Sequence, residues 1–222
     1  SDSDPFDKKA KEVNSSAEAK HPKLSFGVIF SSGFLLIALA IVFQGALRDG
    51  ITDWVPTFIS ETFSLQSSNA ILKSVLLPVL GVISLKVVGI INNKLVREET
   101  KGAGRIFALG LVCCTVLVFF YSSNQYITLL VSSLAVGTMH GVNFFLVCIV
   151  PARFEKYGMV STMSGIINSL TYVGSAAAIY IFGAVSESLG WNAVVITWTV
   201  TAVLGTLCCF LAVKPWHKFV RG

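Results

Sequence analysis

Residues 44–61, QGALRDGITDWVPTFISE, place Arg48 near the middle of a long apolar stretch. An arginine is suited to binding a phosphate or a carboxylate, because its planar guanidinium donates two parallel hydrogen bonds and stays charged. Along a helix, Glu61 lies about 20 Å further on, which is too far for Arg48 to reach water by extending its side chain outward. A charge at such a depth usually faces a protein interior or a water-filled cavity. We therefore expect Arg48 to bind a small anion.

Two other interpretations of Arg48 stay open. One is a structural ion pair with Asp49, with Asp53 or with polar groups on a neighbouring helix. Neither aspartate has the spacing of three or four residues that brings side chains together on one helix face. The other is that the helix begins later than Phe30, which would bring Arg48 nearer to the surface.

Further polar side chains interrupt the apolar stretches and complete the predicted substrate-binding set. His140 and Asn143 lie about one helical turn apart, and Asn168 and Tyr172 lie on one face of another stretch. Lys73 lies in a third apolar stretch. Each also has a structural interpretation: Lys73 could extend toward the surface, His140 could pack between helices, and Asn168 and Tyr172 could bond to neighbouring helices.

A second group of residues is predicted to let the helices bend or to hold them in place. Glycine and proline allow bending, local unwinding or close packing inside a helix. A tryptophan near a helix end often marks the membrane interface. The residues of this group in the polar stretch and the next one are Gly45, Gly50, Asp53, Trp54, Pro56 and Pro78.

No arrangement typical of an enzyme, a metal site or a cofactor site occurs in the sequence. It lacks a nucleophile elbow, a zinc-binding histidine motif, a glycine-rich phosphate loop and any metal-type spacing of cysteine and histidine. We therefore expect no catalytic residue, no metal, no cofactor and no nucleic-acid partner.

The elements that position the polar residues are membrane helices. Hydrophobic residues make up 54% of the 222 residues and charged residues only 13%, too few to cover a soluble domain. A spanning helix needs about 20 mostly apolar residues, and six stretches qualify. They are longer than barrel strands and apolar all round, so the predicted class is an all-α integral membrane protein, a six-transmembrane-helix bundle. The stretches are roughly Phe30–Ile59, Asn69–Ile91, Gly104–Tyr121, Ile127–Val150, Val160–Val185 and Ala193–Val213.

The basic residues predict how this bundle is oriented. Of the 17 lysines and arginines, all but Arg48, Lys73 and Lys86 lie before the first span, around the connections after the second and fourth spans, or after the sixth. These segments fall on one side of a six-span bundle, and the positive-inside rule makes that side the cytoplasm. We expect a multi-pass protein of the plasma membrane with both ends of this chain cytoplasmic. The expected units are a polar linker, the bundle and a tail, at residues 1–24, 25–214 and 215–222.

Two segments resemble the major facilitator superfamily. The connection GIINNKLVREETKGAGR resembles its short loop motif through Gly89 and Lys94, while Asn93 stands where the motif usually has aspartate. A hydrogen bond would there replace the usual charge interaction with a neighbouring helix. The segment ARFEKYGMVSTMSGIINSLTYVGSAAAIYIFGAVSESLGW resembles the region of the tenth and eleventh helices. The resemblance implies the C-terminal half of a twelve-helix major facilitator fold, with the N-terminal six-helix half of the same protein as its partner.

The opening stretch resembles a narrower family. LRDGITDWVPTFISE is similar to the seventh helix of the organophosphate:phosphate antiporters, the glycerol-3-phosphate and hexose-phosphate transporters. The resemblance implies that Arg48 is one of two arginines that bind phosphate at mid-membrane, the other lying on a first helix that this chain does not contain. It also implies transport by alternating access. The matching residues are Leu47, Arg48, Gly50, Asp53, Trp54, Pro56 and Thr57.

Two alternative functions remain open. A proton-coupled carrier of a sugar, carboxylate or drug would depend on a buried titratable group, for which His140, Asp49 and Asp53 are the candidates. A sugar-phosphate sensor of the same fold would bind without transporting. The polar start without a methionine leads us to expect a fragment whose partners are a small anionic substrate, the lipid bilayer and the missing half.

Overall fold

The computed structural model describes residues 32–75, 77–79, 81–83, 86 and 98–221, and no strand occurs among them. Four helices, counted with their direct continuations, are long and apolar enough to cross a membrane, which confirms the predicted all-helical membrane class. The second predicted span, Asn69–Ile91, lies partly outside the described residues. The helices are α1 Phe34–Thr62, α2 Ser67–Ser74, α3 Glu99–Phe120, α4 Gln125–Asn143 and α5 Val160–Arg221.

Helix α1 carries the polar stretch and runs further than its apolar pattern predicts. It follows Gly33, whose φ of 77° is left-handed, and continues through Pro56 to Thr62 rather than stopping near Ile59. Pro56 has no backbone N–H to donate to the preceding turn, yet the helix persists on both sides of it. Its 29 residues span about 43 Å, enough to cross a bilayer with some tilt.

Helix α4 changes its winding immediately after Asn143. Six residues, Phe144–Ile149, form π-helical turns, and Val150–Tyr157 follow as a 3₁₀ segment. Pro151 explains the change, because its ring crowds the carbonyl four residues earlier and it donates no hydrogen bond. The wider π turns absorb this conflict. The helical chain therefore continues past Val150, where the predicted fourth span ends.

Helix α5 contains the fifth and sixth predicted spans. Its regular geometry breaks at Gly190, with φ 78° and ψ 177°, a conformation that is open almost exclusively to glycine. Residues 160–189 form a first arm and residues 191–221 a second arm. The second arm continues past Lys214, where the predicted bundle ends, because Trp216 is buried and Phe219 packs its ring 5.3 Å from that of Phe154.

Contacts between the helices establish their directions. Gly45 of α1 lies against Thr171, and Gly50 lies against Phe182, so α1 and the first arm of α5 run the same way. Gln44 of α1 bonds to Met139 of α4. Near the start of α1, Phe34 packs edge-on against Phe154 of the 3₁₀ segment. Helix α4 therefore runs antiparallel to α1, as the first and fourth spans of one bundle should.

Apart from Arg48, Lys73 and Lys86, the described lysines and arginines gather at one end of the bundle. This end holds the start of α1, the start of α3, the 3₁₀ segment and the end of α5. Glu61 and Glu187 lie toward the opposite end, where Glu61 accepts a hydrogen bond from Trp191 at 2.8 Å. The basic residues at the first end are Lys101, Arg105, Arg153, Lys156, Lys214, Lys218 and Arg221.

Helix α1 and the first arm of α5 touch backbone to backbone. A Cβ atom added to Gly45 would overlap the carbonyl of Thr171, and one added to Gly174 would overlap the carbonyl of Val42. Small residues let membrane helices approach this closely and gain van der Waals contact. This crossing brings the first arm beside the centre of α1, where the polar residues lie.

Replacing Gly174 with alanine should destabilise the bundle, because the new methyl group meets the Val42 carbonyl, which cannot rotate away. Overpacking of this kind costs about 1–3 kcal/mol. Gly165 on the same arm is the matched control, since nothing lies within 4 Å of its added Cβ and alanine favours a helix. Thermal unfolding of the full-length protein in detergent provides the comparison. A Gly174→Ala midpoint equal to or above that of Gly165→Ala would contradict this crossing.

Candidate functional site

Arg48 occupies the midpoint of α1. Fourteen residues separate it from each end of the helix, so its backbone lies about 21 Å from either end. Its side chain is 16% exposed, and the neighbouring Leu47 and Ile51 are fully buried. The helix begins at Phe34, later than Phe30, yet Arg48 lies at its midpoint with a mostly buried side chain.

The guanidinium of Arg48 is paired with the carboxylate of Asp49. Nε donates to Oδ1 at 2.6 Å and Nη2 donates to Oδ2 at 2.8 Å. The spacing argument against this pair is wrong, because it describes Cβ positions, whereas the long arginine side chain can bend back until its fork meets both carboxylate oxygens. Ser175 of the first arm donates a further hydrogen bond to Asp49 Oδ2. Asp49 thus links α1 to α5.

Gln44 lies one helical turn before Arg48 and joins α1 to α4. Its side chain is fully buried, and its Nε2 donates to the carbonyl of Met139 at 3.2 Å. Asn143 donates from Nδ2 to Gln44 Oε1 at 3.4 Å. Gln44 is missing from the residues that the sequence suggests. The sequence feature that could have identified Gln44 is its position four residues before Arg48, which puts both polar side chains on one helix face.

His140 lies in the same region, on the α4 face that carries Asn143. Its ring interacts electrostatically with both Arg48 and Asp49. It packs against Gly81, where an added Cβ would lie 2.8 Å from its Cδ2 and 2.9 Å from its Nε2. The absence of a side chain at Gly81 therefore leaves room for the imidazole beside the charged pair.

Tyr172 and Asn168 lie on the first arm of α5 but face different surroundings. Tyr172 is 60% exposed and is near enough to Arg48 to interact with its charge. Asn168 is exposed and lines a groove of about 550 Å³ between the first arm and the π and 3₁₀ segments of α4. The structure thus groups Tyr172 with Arg48, and it places Asn168 at the groove.

Besides Gly45, two of the α1 residues predicted to let the helices bend or to hold them in place contact the first arm of α5. Gly50 lies against the ring of Phe182, and Trp54 lies against Gly183 while donating from Nε1 to the Ile179 carbonyl at 3.1 Å. These contacts hold two helices together. Asp53 is exposed on the open side of α1.

The remaining predicted residues lie in or after the second span. Lys73 is part of α2, and Pro78 is helical and exposed. Gly89, Asn93 and Lys94 lie outside the described residues.

A second arginine–carboxylate pair joins α3 to the 3₁₀ segment at the basic end. Glu99 is only 2% exposed, and Arg153 donates to its Oε1 from Nε at 2.5 Å and approaches the same oxygen with Nη2. The adjacent Glu98 is exposed to solvent, and a hydrogen bond from Lys101 lowers the pKa of its carboxyl group. The sequence places Glu99 in the loop region that lacks the usual aspartate at Asn93. A charge interaction between neighbouring helices is therefore present at this end.

Comparison with known proteins identifies the family. The model of the major facilitator superfamily matches residues 5–178, which include α1, α3, α4 and most of the first arm of α5. The chain belongs to the major facilitator superfamily. The family is consistent with the apolar, all-helical bundle that holds Arg48 at the midpoint of α1.

A curated protein similar in sequence to this chain is the glycerol-3-phosphate transporter of Bacillus subtilis (strain 168). The two are 22% identical over 181 residues, which cover 81% of this chain and 41% of the relative. The chain thus spans about two fifths of the length of the curated relative it matches.

Replacing Arg153 with glutamine should destabilise the protein more than replacing Glu99 with glutamine. The first change leaves a buried carboxylate without its partner, which costs about 3–5 kcal/mol. The second leaves Arg153, whose side chain is 37% exposed, free to be hydrated, and removes hydrogen bonds of about 1.5–3 kcal/mol. Thermal unfolding of the two variants measures the difference.

Glu98→Gln is the matched control for this comparison, since Glu98 is next in the chain and its partner Lys101 is exposed. Its midpoint should stay close to that of the unaltered protein. Equal midpoints for Glu98→Gln and Glu99→Gln would contradict a structural role for the Glu99–Arg153 pair.

Proposed function

We propose that this chain is the C-terminal half of a transporter that exchanges organic phosphate, or another small organic anion, for inorganic phosphate. The observation that carries the proposal is the position of Arg48, a permanent positive charge at the midpoint of a membrane helix with a partly open guanidinium. The relative in Bacillus subtilis that is named a glycerol-3-phosphate transporter supports the choice of substrate class.

The donors of Arg48 suit an anionic substrate. A guanidinium has five N–H donors, of which the bonds to Asp49 use two. No other acceptor for this guanidinium is found among the described residues. The remaining N–H groups are free to form the parallel, charge-assisted hydrogen bonds that arginine makes with phosphate oxygens.

The side chains around Arg48 suit the rest of an organic phosphate. Tyr172 and Asn143 offer hydroxyl and amide groups to substrate oxygens, and His140 offers a ring nitrogen. Lys73 and Asn168 are proposed as further contacts on the substrate path. A site of this composition fixes orientation with a few polar groups set among apolar walls.

The site is completed by the N-terminal half of the same protein. One arginine with a neighbouring aspartate does not neutralise a phosphate dianion, and the family resemblance assigns the second arginine to the first helix. The two halves would rock about this shared site and expose it alternately to each side. Arg153 and the other basic residues would mark the cytoplasmic end, in the plasma membrane.

A proton-coupled carrier is the second candidate, favoured by His140 beside Asp49 at the same depth. In such a carrier, the proton gradient drives net uptake through a titratable group. In an exchanger, uptake depends instead on anion loaded on the opposite side.

Arg48→Lys should keep the charge and lose the bidentate fork. Loss of one charge-assisted hydrogen bond predicts exchange that is weaker by about 10- to 100-fold. The measurement is uptake of radiolabelled phosphate and glycerol-3-phosphate into phosphate-loaded liposomes containing full-length protein. Arg105→Lys, an exposed position at the basic end, makes the same chemical change and should leave the rate unaltered. Unchanged exchange by Arg48→Lys would remove the basis for the proposal.

Loading and the pH gradient separate the two candidates. Uptake should require phosphate inside the liposomes and should persist when a protonophore collapses the pH gradient. Uptake into phosphate-free liposomes that stops with the protonophore would instead identify the proton-coupled carrier. Binding of the same anions without any uptake would identify a sensor.

A further inference from the structure

We propose that Asp49 is a built-in counter-anion, which holds Arg48 while the site is empty and yields the guanidinium, taking up one proton, when an anion binds. The inference rests on the proposed anion-exchange function and adds a specific role for a carboxylate beside the binding arginine.

The geometry shows that Asp49 already occupies a place that a substrate would take. Its two oxygens meet Nε and Nη2 of Arg48 at 2.6 and 2.8 Å, which is the bidentate arrangement that arginine forms with phosphate. An incoming anion must therefore displace the carboxylate from this edge of the guanidinium, or lie beside it on the remaining donors. In either case, two negative groups compete for one positive charge.

The charge balance favours a proton as the solution. In the empty site, Arg48 and Asp49 together are neutral. The second arginine assigned to the N-terminal half adds one positive charge, so a bound phosphate dianion without any other change leaves the site with one net negative charge inside an apolar bundle, which is costly. Protonation of Asp49 restores neutrality, and the proton comes from the aqueous phase because the Asp49 side chain is 27% exposed.

Ser175 provides a partner for both protonation states of Asp49. Its hydroxyl donates to Asp49 Oδ2 and also lies 3.4 Å from the backbone carbonyl of Gly45. A hydroxyl has one proton to donate and two lone pairs to accept. With Asp49 ionised, Ser175 donates to it. With Asp49 protonated, Ser175 can turn to Gly45 and accept the new proton of Asp49.

Most of the charged and polar groups that face Asp49 stabilise its ionised form, and Asp53 opposes it. On α1, Arg48 stabilises the carboxylate, and Asp53 repels it from one turn away. From α4, His140 interacts with it. From the first arm, Ser175 contacts it, and Tyr172 lies near Arg48. When a substrate takes Arg48, the strongest stabilising partner of the ionised carboxylate is lost while the repulsion from Asp53 remains.

This arrangement is compatible with exchange that does not depend on a pH gradient. Each anion enters with one proton and each anion leaves with one proton, so the net proton movement in a full exchange is zero. Anion binding alone, in contrast, should take up protons and strengthen as the pH falls.

The test is calorimetric titration of the full-length protein with inorganic phosphate and with glycerol-3-phosphate, between about pH 6 and about pH 8. Repeating it in buffers of different ionisation enthalpy counts the protons taken up. Asp49→Asn should bind the anion about tenfold more tightly at the upper pH and take up about one proton fewer per anion than the unaltered protein. The titration of the ligand itself is common to both proteins and cancels in the difference.

Glu187→Gln is the matched control, because it removes an exposed carboxylate from the first arm, about 18 Å along the helix from Ser175. It should bind as the unaltered protein does. If Asp49→Asn does not fold, Ser175→Ala tests the same inference. Loss of the Ser175 donor destabilises the ionised form of Asp49 more than the protonated form, because hydrogen bonds to charged groups are stronger. Ser175→Ala should therefore bind the anion about three- to tenfold more tightly at the upper pH.

The outcomes separate this inference from the proposed function. Equal affinity and equal proton uptake in Asp49→Asn and the unaltered protein overturn the counter-anion and leave the anion exchanger standing. Weaker binding by Asp49→Asn also overturns it and makes Asp49 a residue that positions Arg48. No anion binding by the unaltered protein overturns the proposed function and this inference together.

Discussion

A guanidinium at the centre of an apolar bundle keeps its charge, so it needs an opposite charge and hydrogen-bond partners nearby. The surrounding structure supplies both. Asp49 supplies the opposite charge from the same helix. The close crossing of α1 with α5 brings Ser175 within hydrogen-bonding distance of that carboxylate. This approach depends on glycines at positions where any side chain would overlap a carbonyl. The hydrogen bond between Asp49 and Ser175 therefore depends on the close packing of the two helices.

Helix α4 completes this centre and also breaks its own regularity beside it. Met139 and Asn143 bond to Gln44 in the last regular turns of the helix, and the π turns begin with the next residue. Pro151 then leads into the 3₁₀ segment, whose Arg153 is tied to Glu99 of α3. One element thus connects the central polar cluster to the ion pair at the basic end. A helix with such breaks can change its shape locally without unpacking the bundle.

Much of this fold follows from hydropathy, because long apolar stretches and short connections leave few alternatives to a helix bundle. The break at Gly190 lies between the fifth and sixth predicted spans, at a backbone conformation that suits only glycine. Helix ends were less predictable. Helix α3 begins at Glu99, which pairs with Arg153, and α5 runs to Arg221 past Trp216 and Phe219, which pack at the basic end. Hydropathy does not record these contacts. The Arg48–Asp49 pair was judged unfavourable from residue spacing, which ignores the length and flexibility of arginine. Gln44 was missed because its role depends on Met139 and Asn143, which are distant in sequence.

We propose that Arg48 holds an anion at the centre of this bundle. The most direct measurement is an experimental structure of the full-length protein with glycerol-3-phosphate bound. The account predicts phosphate oxygens about 2.7–2.9 Å from the guanidinium nitrogens of Arg48, with the Asp49 carboxylate moved off the fork toward Ser175. A phosphate group bound elsewhere, with the Arg48–Asp49 pair intact, would contradict it.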